Sequence, residues 1–190
     1  MASDEELMSA IAGGDLDAFG EIVVRYQTPM YRAALRLLGR GDDAQDVAQE
    51  AFLRLWTAAP RYRPTAALKT FLYRIVTNLC LDRNRRRKHE PLDDFPELTD
   101  AALSPTDQMI RHERERAVHE ALDELPDRQR MAVVLRHFEG MSYGEMAEIL
   151  STSEKGIEGL LGRGRDGLLN KLAHLLDSPG SEIGSSGGDQ

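Results

Sequence analysis

The chain has 190 residues, 41% of them hydrophobic and 29% charged, with a formal net charge of −8 and one cysteine, Cys80. That length holds one mid-sized domain or two small ones, and this balance of apolar and charged residues fits two small helical bundles better than one thick core. A lone cysteine excludes an internal disulfide and a cysteine-rich metal site. Eight prolines without alternating Val/Ile/Thr runs argue against an all-β fold, and no apolar run approaches the ~18 residues of a membrane span.

The acidic start, MASDEELMSAIAGGD, has neither the basic nor the apolar stretch of a signal peptide. A reducing cytoplasm is the expected compartment. From Phe19, apolar residues recur at Ile22, Val23, Tyr26, Met30, Ala33 and Leu37, the stripe of an amphipathic helix. Pro29 inside it predicts a kink or a division. Gly39 and Gly41 end the pattern, and Asp42 or Asp43 is expected to cap the next helix. That helix has an apolar face of Ala44, Val47, Ala48, Ala51, Phe52 and Leu55. Its other side carries Asp46, Gln49, Glu50 and, unusually, Leu53. An apolar side chain ringed by charge suits a partner surface; an ordinary solvated face is the plainer account.

Pro60 and Pro64 mark a loop. A third helix is expected to start near Ala66 or Ala67 and to pack through Leu68, Phe71, Leu72, Ile75 and Leu79. Its other side interleaves Lys69, Thr70, Tyr73, Arg74, Thr77, Asn78 and Arg85. Rings, amides and cations together suit unstacked bases and their phosphates, although a mixed surface with a buried Tyr73 shows the same residues. The helix runs into a basic block, Arg83, Arg85, Arg86, Arg87 and Lys88, followed from Glu90 to Asp107 by six acidic residues and no basic ones. This asymmetry allows local DNA contact on an acidic protein; a solvated helix end beside a solvated linker would look alike.

Three prolines and no periodicity make residues 90–105 a linker. A second helical region is expected from Thr106, with Met109, Ile110, Val118, Ala121 and Leu122 lining one helix and Met131, Val134, Leu135 and Phe138 the next, from Pro126. Ser142-Tyr143-Gly144-Glu145 is a capping box. It opens a short helix packed through Met146, Ala147, Ile149 and Leu150. Ser151-Thr152-Ser153 turns into a longer helix with Ile157, Leu160, Leu161, Leu168, Leu172 and Leu175 inward. Short helix, tight turn and longer helix outline a helix-turn-helix, whose second helix enters the major groove by its N-terminal residues. A plain helical hairpin has the same outline. Ser153, Lys155 and Glu158 would then face DNA, and Arg163 and Arg165 would neutralise phosphates. Five glycines in this helix, Gly156, Gly159, Gly162, Gly164 and Gly167, each cost about 1 kcal/mol relative to Ala and predict a helix poorly ordered until bound. The tail from Ser178 is rich in Gly and Ser and is expected to be disordered.

Enzyme chemistry is not apparent. The histidines are scattered, His112 and His119 lack a third metal ligand, and there is neither a phosphate loop nor a serine elbow.

Taken together, these pieces resemble the extracytoplasmic-function sigma factors of bacterial RNA polymerase. DDAQDVAQEAFLRLW (42–56) is similar to the family's polymerase-binding helix. KTFLYRIVTNLCLDRNRRR (69–87) is similar to its promoter-melting helix. The stretch 121–168 is similar to its −35-reading domain. The resemblance implies an all-α protein of two small helical domains: sigma region 2 over 1–89, an acidic flexible linker over 90–105, a region 4 helix-turn-helix over 106–177, and a tail over 178–190. It implies no catalytic residue, cofactor or metal. The implied partners are the β′ and β subunits of core RNA polymerase, promoter DNA and an anti-sigma factor, with no membrane insertion. Asp46, Gln49, Glu50 and Leu53 become the contact with the β′ clamp helices. Lys69, Tyr73, Arg74, Asn78, Arg83, Arg85 and Arg86 become contacts with the −10 element, and Ser153, Lys155, Glu158, Arg163 and Arg165 contacts with the −35 element. The chain departs from the family at Leu72, where many members have Trp, and in its glycine-rich recognition helix. A helix-turn-helix regulator acting alone would need a dimer interface or sensor domain that residues 1–100 do not offer. A helical adaptor would leave the arginine block and the helix-turn-helix unexplained.

Overall fold

A computed structural model describes residues 2–63, 67–86 and 116–176. The expected linker and tail lie outside them. Among the described residues every regular element is helical, as the composition predicts.

The first helix, α1 (Asp4–Ala12), opens with a capping box: Ser3 Oγ accepts from the Glu6 amide, and the Glu6 carboxylate accepts from the Ser3 amide. Its Asp4 carboxylate takes the Arg25 guanidinium and the Tyr26 hydroxyl, which fastens α1 to the next helix. That helix, α2 (Leu16–Leu38), starts on Asp15, whose carboxylate accepts from the amides of Asp17 and Ala18 at 2.9 and 3.0 Å. It ends on Gly39 in the left-handed conformation, with φ of 69°. Of the kink or division expected at Pro29, division does not occur: α2 is one helix of 23 residues. Pro29 removes one backbone bond, but Ile22 and Met30 on either side are fully buried, and tertiary packing keeps the two halves in one helix.

α3 (Gly41–Ala58) buries Ala44, Val47, Ala48, Ala51, Phe52 and Leu55, the face its periodicity defines. Its cap differs from the expectation. Arg40 is the N-cap and offers no side-chain bond, while Asp42 and Asp43 sit in the first turn, where negative charge favours the positive end of the helix dipole. A 3₁₀ turn (Ala59–Arg61) follows. α4 (Leu68–Arg86) buries Leu68, Thr70, Leu72, Tyr73, Val76, Thr77 and Cys80, with Phe71, Ile75 and Leu79 only half-buried. Its buried face is thus turned from the expected stripe, because α4 is covered on two sides: by α2 and α3, and by the C-terminal unit. Burial pushes the Cys80 thiol well above its usual range, so it stays a protonated core residue.

The C-terminal unit contains a helix over 116–123, which we call α5, then α6 (Asp127–His137), α7 (Tyr143–Ile149) and α8 (Glu154–Leu176). Five consecutive residues of α6, Met131 to Leu135, are buried. This apolar stretch is packed on more than one side: α8 lies on one and α2 and α4 of the first unit on another. Phe138, expected in this core, is exposed at 43% beneath the Arg36 guanidinium, which stands 4.6 Å from the ring centre.

Candidate nucleic-acid interface

The outer face of α3 stays clear of the core. Asp46 and Gln49 are exposed, Glu50 is half-buried, and Leu53 is 60% exposed. Glu50 pairs with Arg54 one turn on, at 2.8 Å. Beside Gln49, a groove of about 350 Å³ opens between α2 and α3, lined by Val23, Tyr31, Ala48 and Phe52 among others. Asp46 also meets the second predicted set: Arg83 Nη2 lies 2.8 Å from it, while Arg83 Nε lies 2.9 Å from the buried carboxylate of Asp43. Arg83 therefore braces α4 against α3 in this conformation.

The predicted −10 residues separate into two groups. Asn78, Arg85 and Arg86 are exposed on the distal half of α4. Lys69, Tyr73 and Arg74, on the proximal half, are held by the C-terminal unit. The Tyr73 hydroxyl donates to the Glu139 carboxylate, Lys69 Nζ donates to the Glu139 carbonyl at 3.2 Å, and Arg74 lies 3.8 Å from Glu148. Tyr73 is 1% exposed, so it presents no ring for a base to stack on in this conformation. Burial, and then its bond to Glu139, hold its phenol well above the usual range, and it remains a hydrogen-bond donor.

A cleft of about 730 Å³ brings together groups that the sequence suggested separately. Glu50 and Leu53 from α3 face Arg74 from α4 and Glu148 from α7. Arg54, Arg61 and Arg63 also line it, and sequence reasoning missed all three. The signal was present in Arg61-Tyr62-Arg63, a cation-ring-cation run between prolines. Tyr62 and Phe71 meet edge to face at 5.4 Å, and Arg74 stands 5.3 Å from the Phe71 ring centre. Such a cleft can hold a base against a ring and a phosphate against a guanidinium.

The helix-turn-helix has the predicted form. Ser142 and Glu145 bond reciprocally at the start of α7, and these bonds lower the Glu145 pKa. The turn passes through Ser151 at φ of 48°. Ser153 Oγ accepts from the Gly156 amide at 3.1 Å, which makes Ser153 a cap of α8 as well as a candidate DNA contact. Lys155, Glu158, Arg163 and Arg165 are all exposed. Ile157 and Leu161 are buried against the opposite side, and Leu160, Leu168 and Leu172 are half-buried. α8 is continuous despite its glycines, which corrects the expectation of poor order. A Cβ on Gly164 would stand 2.8 Å from Val133 Cγ2, and one on Gly167 2.6 Å from Leu125 Cδ2. These two glycines let α8 lie close on its neighbours. Among the described residues no group of three metal-ligating side chains forms, and no helix is long and apolar enough to cross a membrane.

Comparison with known proteins fits this geometry. The family model for sigma-70 region 2 matches residues 22–90, and that for sigma-70 region 4 matches 115–167. The ECF RNA polymerase sigma factor SigW of Bacillus subtilis is 31% identical over 173 residues, covering 85% of this chain and 92% of its own. The chain belongs to the extracytoplasmic-function sigma factors. RNA polymerase sigma-H factor of Pseudomonas aeruginosa is 32% identical to this sigma factor over 91% of the chain and 95% of its own length. The structure of CnrH in complex with the cytosolic domain of CnrY is similar over 92% of this chain and 97% of that one, with a TM-score of 0.67 and 30% identity. The family is one of transcription initiation factors that bind core RNA polymerase and direct it to promoters.

Proposed function

We propose that this sigma factor divides its work between three helix faces and catalyses no reaction itself. Asp46, Gln49, Glu50 and Leu53 on α3 dock on the β′ clamp helices of core polymerase. Lys69, Tyr73, Arg74, Asn78, Arg83, Arg85 and Arg86 on α4 handle the −10 element as it melts. Ser153, Lys155, Glu158, Arg163 and Arg165 at and along α8 handle the −35 element. One observation carries the reading. Each family model falls on one helical unit, and each unit leaves a polar helix face outside its core. An apolar side chain in a charged ring, as Leu53 is, suits a protein partner. Exposed cations on a helix that follows a tight turn suit the major groove and its phosphates.

Extruding a base from the duplex costs a few kcal/mol, offset by stacking and hydrogen bonds in a ring- and cation-lined site. The cleft around Phe71, Arg61 and Arg74 supports that role. The expected domain limits, 1–89 and 106–177, stand as part of the proposal, joined by the acidic segment between them. CnrH was solved with the cytosolic domain of CnrY, and we extend to this chain the control by an anti-sigma factor that the family resemblance implies. A cytoplasmic site of action follows from the same reading.

The test is binding to core polymerase by Asp46→Arg with Glu50→Arg, beside circular dichroism. The expected result is a loss of core affinity of tenfold or more with an unchanged spectrum. Wild-type core affinity with a normal spectrum would refute the α3 assignment.

A further inference from the structure

Two arginines of α6 hold α7, the first helix of the helix-turn-helix, at its two ends. Arg128 Nη2 donates to the carbonyl of Leu150, the C-cap of α7, at 2.7 Å. Arg136 Nη1 donates at 2.9 Å to the carbonyl of Met141, which precedes the N-cap Ser142. Its guanidinium also stands 5.4 Å from the ring centre of Tyr143, the first residue of α7. The spacing matches. Positions 128 and 136 lie about two turns apart on α6, roughly 12 Å at 1.5 Å per residue, and Ser142 to Leu150 spans the same length. Met141 and Leu150 are both buried, and a carbonyl withdrawn from water requires a partner. That of Leu150 is also among those a helix C-terminus leaves unpaired, where a cation favours the negative end of the dipole.

A helix of seven residues is too short to hold its place by its own hydrogen bonds, so α7 depends on what fixes its ends. The link from it to α8 is stiff. Ser151 takes φ of 48°, a narrow well for a residue with a side chain. The Thr152 amide donates to the Ala147 carbonyl at 2.9 Å. A Cβ on Gly156 would stand 2.3 Å from Thr152 Oγ1, so the turn packs on the bare first turn of α8. The attitude of α7 therefore sets the angle at which α8 leaves it. We propose that Arg128 and Arg136 are positioning residues for −35 recognition: they fix α7, and through the turn they fix the angle at which α8 meets the major groove. The inference rests on the −35 role proposed above for α8 and adds two residues that act through it. Base-edge contacts need placement to within about 0.5 Å, whereas phosphate contacts carry affinity but little sequence information. A loosened α8 should thus lose discrimination between sequences and keep its salt dependence. Both arginines are exposed, so direct phosphate contact is the competing role.

The test uses holoenzyme formed from the full chain and core polymerase. Wild type first selects its preferred −35 sequence from a randomised promoter library. Promoter affinity is then titrated against salt, on that sequence and with one −35 base pair changed. The wrong base pair should cost wild type about tenfold. Arg128→Ala with Arg136→Ala should narrow that ratio to about threefold or less and leave the salt slope unchanged. Arg128→Lys with Arg136→Lys keeps a donor for each carbonyl and should restore most of the ratio. Circular dichroism at the assay temperature checks the fold, and the single variants, each with one arginine left, serve if the double variant unfolds. A salt slope lower by about one unit per arginine, with the ratio intact, would make both residues phosphate contacts and overturn the inference. A lower melting temperature, with ratio and slope at wild-type values, would reduce them to bonds of the fold and overturn it too. A wild-type holoenzyme with no preferred −35 sequence would overturn the reading of α8 itself, and this inference with it.

Discussion

Arg83 touches two carboxylates with different surroundings. Asp43 is buried, with 5% of its side chain exposed, whereas Asp46 is 61% exposed. Loss of the guanidinium would take one ion-pair partner from the Asp43 carboxylate in a poorly solvated place, and reducing the compensation of a buried charge is costly. The Asp46 contact, in water, contributes little. Arg83→Ala should therefore lower stability by about 1–3 kcal/mol, most of it through Asp43. Arg83→Lys should recover only part, since one ammonium cannot repeat a two-sided contact. Thermal melts of the three proteins check this. The −10 role proposed for Arg83 predicts a further effect: promoter opening weakened beyond what the lower melting temperature accounts for. The two accounts are separated by which quantity moves.

At the scale of the helix, the glycines of α8 are not equivalent. A Cβ on Gly162 meets nothing within 4 Å, whereas one on Gly164 meets a buried valine at 2.8 Å and the Gln129 carbonyl at 3.4 Å. Gly162→Ala should stabilise by about 1 kcal/mol through backbone entropy alone. At Gly164 the same gain is opposed by Val133, whose β-branched side chain is stiff, and the substitution should destabilise. The melting temperatures should rank Gly162→Ala above wild type and wild type above Gly164→Ala. Helix propensity in the sequence sees five equal costs; only the packing partner separates them. The same limit explains the turned face of α4. Periodicity places Phe71, Ile75 and Leu79 inward, but it holds no information about a second unit covering Tyr73. What depended on local chemistry was legible: the Ser142–Glu145 capping box, the α3 stripe and the polar turn before α8. Helix α1 carries the same local signal, since Ser3-x-x-Glu6 is the same box. The cleft arginines depended on tertiary placement, with only the Arg61-Tyr62-Arg63 run as a hint.

The whole molecule meets a promoter at two places, and the proposed contacts there differ in chemistry. Asn78 is exposed on the distal half of α4. Its amide both donates and accepts, which reading a base edge requires. Arg163 is exposed on α8, with its guanidinium folded back toward Gly159, 3.4 Å from where a Cβ would stand there. It lies two turns past the N-terminal residues that enter a groove, where a phosphate is the natural partner. Two phenotypes follow. Asn78→Ala should impair open-complex formation and change the preferred −10 sequence. Arg163→Ala should weaken promoter binding by a similar factor on every sequence and lower the salt dependence by about one unit of slope, since one fewer phosphate is neutralised. Permanganate footprinting of the melted region and a salt titration of promoter affinity read these separately, and thermal melts of the free proteins guard against a folding fault. An Asn78→Ala protein that opens promoters normally but melts at a lower temperature would make Asn78 a brace of α4 and not a reader of bases. An unchanged salt slope for Arg163→Ala would move the phosphate contact elsewhere on α8, with Arg165 the next candidate.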